Sequence, residues 1–249
     1  FILTMKSVEF CGLTYELNEN DFTAMVVGSE HSSGDIIIPR YIVHQQREYL
    51  ITTIKKDSFK NNYTIRSISF PDDSSLLLIE EDSFVNSSIE ELTIPKSLVE
   101  LQDGWCNDTA NLYDIFLSKE NKHYKYLEET NNKIIIGQNK EENTNNINNI
   151  NKMSEFNSIE FASRNIEYVT IPSFIQTIKS YSFSKCTKLQ RIEISNESKL
   201  HEIKRGSFSY SSINKIFIPP HVKTIETGTF SWCSELKTVV FSENSELQK

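Results

Sequence analysis

The residues able to do chemistry are few and scattered. Cys11, Cys106, Cys186 and Cys233 could serve as nucleophiles or soft-metal ligands, but no C-x-x-C pair and no Cys/His cluster is present. His31, His44, His123, His201 and His221 stand far apart, and neither H-E-x-x-H, G-x-S-x-G nor a paired-carboxylate motif occurs. They read as surface histidines, with His201 and His221 at turns. Glycine numbers only 7 and builds neither G-x-G-x-x-G nor G-x-x-x-x-G-K-S/T, so no loop is made to cradle phosphate. No catalytic residue, no metal site and no cofactor are expected. An acidic balance of 34 Asp+Glu against 26 Lys+Arg, net -8, argues against a nucleic-acid binder, which needs clustered cations. Apolar runs such as 76–79 and 134–136 fall far short of the ~20 residues of a membrane helix, so no membrane contact is expected within this segment.

What would position any functional side chain here is a repeat. Thr177-Ile-Lys-Ser-Tyr-Ser-Phe183, Glu202-Ile-Lys-Arg-Gly-Ser-Phe208 and Thr224-Ile-Glu-Thr-Gly-Thr-Phe230 share a frame with Thr53–Phe59 and Leu78–Phe84. In each, Ile stands five residues before Phe and a small hydroxyl residue just before it. Leu101 to Cys106 and Phe156 to Phe161 fit the same frame. The Phe-type positions Phe59, Phe84, Cys106, Phe161, Phe183, Phe208 and Phe230 are separated by 25, 22, 55, 22, 25 and 22 residues. The unit is therefore a 47-residue pair of coils, and the 55 is 25 plus an insertion of 30. After each Phe, apolar residues alternate with polar ones, as in Arg191-Ile-Glu-Ile194 and Lys215-Ile-Phe-Ile218-Pro219. That is a short strand with one buried face, and Pro ends it without costing a ladder donor. One coil cannot bury its own apolar side; stacked coils can, their strands forming a parallel sheet and their phenyl rings a core column. A 38% apolar content suits such a thin core. Cys186 and Cys233 hold the same repeat position two coils apart, about 10 Å, beyond the ~7 Å reach of a disulfide. They read as structural thiols.

These residues resemble the BspA-like leucine-rich repeat, L-x-x-I-x-I-P followed by V-x-x-I-x-x-x-S/T-F-x-x-C-x-x-L. The resemblance covers about residues 35–117 and 156–249 and is clearest in 169–241. It departs at Cys106, at Trp105 in place of Ser/Thr, and at the insertion. It implies an α/β-type leucine-rich-repeat solenoid, strand-dominated, a curved right-handed superhelix with a parallel sheet on one face. Residues 1–34 lie outside the repeat. Leu13–Leu17 and Phe22–Val27 alternate around Asn18-Glu-Asn-Asp21 and read as an N-terminal β-hairpin cap, followed by the solenoid over 35–249. The insertion, about 118–155, holds a strand at Lys133–Gly137 and an Asn-rich stretch, 7 Asn in residues 139–151, expected to be mobile and a tolerated loop. The array is expected to continue beyond 249, because 242–247 begins another coil like 195–200. Of the sequons, Asn62 faces inward and should not carry glycan, whereas Asn196 is the best acceptor if the protein is secreted.

The outward strand positions alternate with the core ones: Ser67, Ser69, Glu91, Thr93, Asp114, Phe116, Tyr168, Thr170, Arg191, Glu193, Lys215, Phe217, Thr238 and Val240. Aromatic and aliphatic side chains on a wet face, with Arg and Lys between them, have the composition of an interface. Phe116, Tyr168, Thr170, Arg191, Glu193, Lys215, Phe217, Thr238 and Val240 form the expected protein-binding face. The chain is expected to be monomeric and non-enzymatic, and the resemblance implies a cell-surface or secreted adhesin or antigen that binds host-cell or matrix proteins. The alternative is an intracellular, cytoplasmic scaffold using the same face.

Overall fold

A computed structural model describes residues 6–128, 130–131, 133–138 and 156–248 of the chain. It divides into two compact units, residues 1–122 and 123–249. The Asn-rich stretch 139–151 lies outside the described residues. The described residues hold strands and turns and no helix, so the solenoid is strand-built and the α/β-type label corresponds to no helical layer in them.

The first unit contains β1 (Lys6–Phe10), β2 (Leu13–Asn18), β3 (Thr23–Gly28), β4 (Gly34–Ile37), β5 (Tyr41–His44), β6 (Arg47–Ile54), β7 (Ile65–Ser69), β8 (Leu78–Ile79), β9 (Glu91–Ile94), β10 (Glu100–Leu101) and β11 (Asp114–Leu117). The second contains β12 (Tyr124–Tyr126), β13 (Ile134–Gln138), β14 (Phe156–Ala162), β15 (Tyr168–Ile171), β16 (Thr177–Ile178), β17 (Arg191–Ile194), β18 (Glu202–Ile203), β19 (Lys215–Ile218), β20 (Thr224–Ile225) and β21 (Thr238–Phe241). Each coil gives a longer strand to one sheet and a two-residue strand to another. In the first unit these sheets run β11-β9-β7-β4 and β1-β2-β3-β6-β8-β10. In the second, β12-β13-β14-β16-β18-β20 forms one sheet, and β15–β17 and β19–β21 are separate parallel pairs. The two-residue strands are the Ile of the repeat frame. They are too short to show alternation, which is why the sequence suggests only one parallel sheet.

Each recurring residue type has a local cause. The position two before the Phe-type residue (Asp57, Asp82, Gly104, Tyr181, Gly206, Gly228) and the position two after it (Asn61, Asn86, Asp108, Lys185, Tyr210, Trp232) all have φ between 52° and 81°. Two left-handed residues fold the backbone sharply on either side of the ring and turn it inward. At three of the rings the preceding hydroxyl locks that turn, while the Ser182 and Ser207 hydroxyls are buried without a hydrogen-bond partner. Ser58, Ser83 and Thr229 donate to the carbonyls of Lys55, Glu80 and Glu226 at 2.5, 2.5 and 2.7 Å.

The rings form columns. In the first unit Phe59 and Phe84 stack at 5.1 Å, and Trp105 meets Phe84 edge-on at 6.0 Å. Trp105 and Cys106 together fill the slot a phenyl would take, and both are buried. In the second unit Phe183, Phe208 and Phe230 stack at 5.1 and 5.9 Å. Phe161 departs from the frame. It is buried, but it lies in β14 opposite Ile135 of antiparallel β13. The amide of Ala162 donates to Ser182 O as the amide of Phe183 donates to Ser207 O, and Ile159 pairs with Ile178. Ala162 therefore holds the column slot and Ile159 the Ile slot. Pairing with β13 keeps this coil extended where the others turn.

Leu13–Asn18 and Thr23–Gly28 are the antiparallel hairpin read from the sequence. The second strand does more than flank the array. β3 pairs in parallel with β6, and Lys55 N donates to Val26 O at 3.0 Å, as Glu80 N donates to Ile54 O at 2.9 Å. Val26 thus stands in the Ile column one coil ahead of the recognisable repeat. The expected strand at 133–137 is β13.

Candidate protein-binding face

Strands β9, β15, β17 and β19 alternate, whereas all four residues of β21 are exposed. In β17 Ile192 and Ile194 are buried while Arg191 and Glu193 are exposed; in β15 Val169 and Ile171 are buried while Tyr168 and Thr170 are exposed. The outward row follows from the pleat, since the buried partners are already fixed in the core. Tyr168 is 70% exposed and Phe116 is 54% exposed. Val240, Lys215 and Thr238 are exposed and Phe217 is half-buried. Register places Tyr168 beside Arg191, Thr170 beside Glu193, Lys215 beside Thr238 and Phe217 beside Val240 in the second unit. In the first unit Phe116 stands beside Thr93 and Asp114 beside Glu91.

The two units differ in charge on this face. In the first, Arg66 is ion-paired with Asp35 and reaches Glu91 at 3.4 Å. The Ser67 hydroxyl donates to Asp35 at 2.7 Å, and this bond with the Arg66 guanidinium holds the Asp35 carboxyl below its usual range. In the second, Arg191 and Glu193 are ion-paired and Thr170 donates to Glu193 at 3.2 Å. Among the described residues Lys215 has no ion-pair partner.

Coil length controls whether neighbouring strands close up. Tyr168 to Arg191, Lys215 to Thr238 and Glu91 to Asp114 are each 23 residues, and each pair of strands ladders over four residues. Ser67 to Glu91 is 24 residues, and only two residues of β7 and β9 are paired. Arg191 to Lys215 is also 24, and β17 and β19 belong to separate sheets. The extra residue lets the strands part. Between them opens a concavity of about 720 Å³ lined by Gln190, Arg191, Glu193, Asn214, Lys215 and Phe217. The sequence places four of these on the face but does not reveal the cleft. Alternation also fails to single out Ile37, 69% exposed on edge strand β4.

The four cysteines form no disulfide. Cys106 and Cys186 are buried, Cys233 is half-buried and Cys11 is exposed. Cys186 Sγ lies 3.7 Å from Ser163 O and Cys233 Sγ 3.0 Å from Phe208 O, so these thiols sit against the backbone of the preceding coil. Asn62 Nδ2 likewise donates to Ser29 O at 2.9 Å. Among the described residues no three His, Cys, Asp or Glu side chains cluster as metal ligands, and no helix is long and apolar enough to cross a membrane.

A family model described as BspA type Leucine rich repeat region (6 copies) matches residues 46–160 and 154–249. Among solved structures, a leucine-rich repeat protein from Eubacterium ventriosum is similar at 18% identity and a TM-score of 0.55, over 95% of this chain and 72% of that one. At that identity the likeness shows the fold alone. A leucine-rich repeat protein from Bacteroides ovatus aligns at 14% identity, TM-score 0.40, over 94% of this chain and 70% of that one. The pneumococcal vaccine antigen PcpA aligns at 13%, TM-score 0.41, over 96% and 82%. No curated protein matches.

Proposed function

The chain belongs to the BspA-type leucine-rich repeat family, and on that premise we propose that it is a non-enzymatic recognition module of the cell surface or the secreted fraction. Its exposed strand face binds host-cell or matrix proteins. The observation that carries this reading is the exposure of Tyr168, a large aromatic side chain held 70% in solvent on a rigid strand. Aromatic anchors flanked by Arg and Lys are what interface centres use, because they bury much area at little entropic cost. Phe116, Thr170, Arg191, Glu193, Lys215, Phe217, Thr238 and Val240 complete the face, each unit presenting its own rows.

In the same reading, residues 1–34 cap the array and 35–249 form a right-handed superhelical solenoid. The cap role is supported by β3, which pairs with β6 and covers the Ile column with Val26.

The test is Tyr168→Ala with Phe217→Ala. Surface changes of this kind cost within about 0.5 kcal/mol, so the melting temperature should move by no more than about 2 °C. Binding to immobilised matrix proteins such as fibronectin should weaken at least about tenfold, or ~1.4 kcal/mol. Unchanged binding refutes the face, and loss of folding refutes its assignment as outward. Labelling of intact cells with an impermeant reagent checks the location, and a protein protected until lysis contradicts it.

A further inference from the structure

The turns that lead into β16, β18 and β20 stack as the strands do. Thr177, Glu202 and Thr224 are in register. Gln176, His201 and Lys223 therefore form one column, and Lys199 and His221 form a second, two residues upstream. The residues between, Leu200 and Val222, are fully buried, so those on either side point out together. Backbone bonds fix the frame: His201 N donates to Gln176 O and Lys223 N to His201 O, both at 2.9 Å. With coils ~4.8 Å apart and alternate residues ~6.6 Å apart, Lys199, His201, His221 and Lys223 occupy the corners of one small quadrilateral. Together with Gln176 and Glu246 they line a single concavity of about 330 Å³.

In a chain of net charge -8 this is an unusual concentration of cationic and titratable groups. Among the described residues neither Lys199 nor Lys223 has an ion-pair partner. Glu246, from the following turn, lies 3.0 Å from His221 Nδ1. Glu202, next to His201, lies 3.8 Å from Lys204. We propose that Lys199, His201, His221 and Lys223 form a binding site for an oxyanion, the sulfate or phosphate group of a ligand. The two ammonium groups supply charge and donors, and the two imidazoles add donors. Glu246 competes with the anion for His221. The site lies in the turns and is independent of the strand face.

The experiment titrates the chain, at about 50 mM ionic strength to limit screening, with sodium sulfate, sodium phosphate and a heparin-derived sulfated tetrasaccharide, followed by calorimetry. Saturable binding is expected, weakened at least about tenfold by Lys199→Gln with Lys223→Gln, two exposed changes that keep the melting temperature. Glu246→Gln should tighten it, because it removes the carboxylate that competes for His221. Saturation by inorganic anions identifies a free-anion site, and saturation by the tetrasaccharide alone identifies an ester carried on a glycan. The proposal is overturned if none of the three probes binds, or if Lys188→Gln with Lys237→Gln, which removes equal charge elsewhere, weakens binding as much. Tyr168→Ala with Phe217→Ala should leave this affinity unchanged, so its outcome does not depend on the strand-face reading.

Discussion

Replacing Phe208 by Ala tests the stacked core most directly. The ring is fully buried, with Phe183 at 5.1 Å on one side and Phe230 at 5.9 Å on the other. Truncation removes its transfer energy and leaves a ring-sized void that the flanking coils, pinned by ladder bonds, cannot close. Phe→Ala in such a core costs about 3–5 kcal/mol, and two lost ring contacts of about 0.5–1.5 kcal/mol each place this site at the upper end, near 5 kcal/mol. Phe230 is half-buried and has one ring neighbour, Phe208, among the described residues. Its truncation should cost about 2 kcal/mol, less than half as much. Urea unfolding followed by circular dichroism measures both. A repeat array need not unfold in two states, so the comparison rests on midpoints and on the loss of the second unit's signal. Equal losses for the two variants would show that stacking does not carry the column, and the reasoning from a continuous ring ladder would fail.

Gly206 has φ +59°, and a Cβ there would meet Tyr181 Cε1 at 2.4 Å, whereas Gly34 at φ +69° has nothing within 4 Å of an added Cβ. Gly34→Ala should cost about 1–2 kcal/mol for the left-handed backbone alone, and Gly206→Ala measurably more, read as a lower urea midpoint; equal midpoints would mean that Tyr181 yields freely. Burial, with a smaller contribution from Cys11, pushes the Tyr15 phenol well above its ordinary 10.0. Its proton is retained in the native chain where the unfolded chain releases it. The resulting stability is present below pH 10 and is lost as pH rises beyond it. Ultraviolet titration of the wild type against Tyr15→Phe should show the Tyr15 phenol ionising only with unfolding; its ionisation in the folded chain would contradict this.

The sequence by itself determined the coil. Ile and Phe recur at fixed spacing because every coil must bury the same slots, and a strand with one dry face must alternate. Both constraints act within a few residues and leave their period in the chain, so β7, β9, β11, β15, β17, β19 and β21 and the phenyl columns are legible. The hydroxyl before each ring was visible too, although the hydrogen bond three residues back that Ser58, Ser83 and Thr229 make was not. What depends on neighbouring coils was decided only in three dimensions. The two-residue strands β8, β10, β16, β18 and β20 exist because adjacent coils pair there, not because of any pattern within them. Pairing with β13 held β14 extended and gave the column slot to Ala162 instead of Phe161. A single extra residue between Arg191 and Lys215 parted two strands and opened a cleft. Lys199, His201, His221 and Lys223 look like isolated surface residues in the chain and become one cluster only because stacking brings positions about one coil apart to within roughly 5 Å of each other.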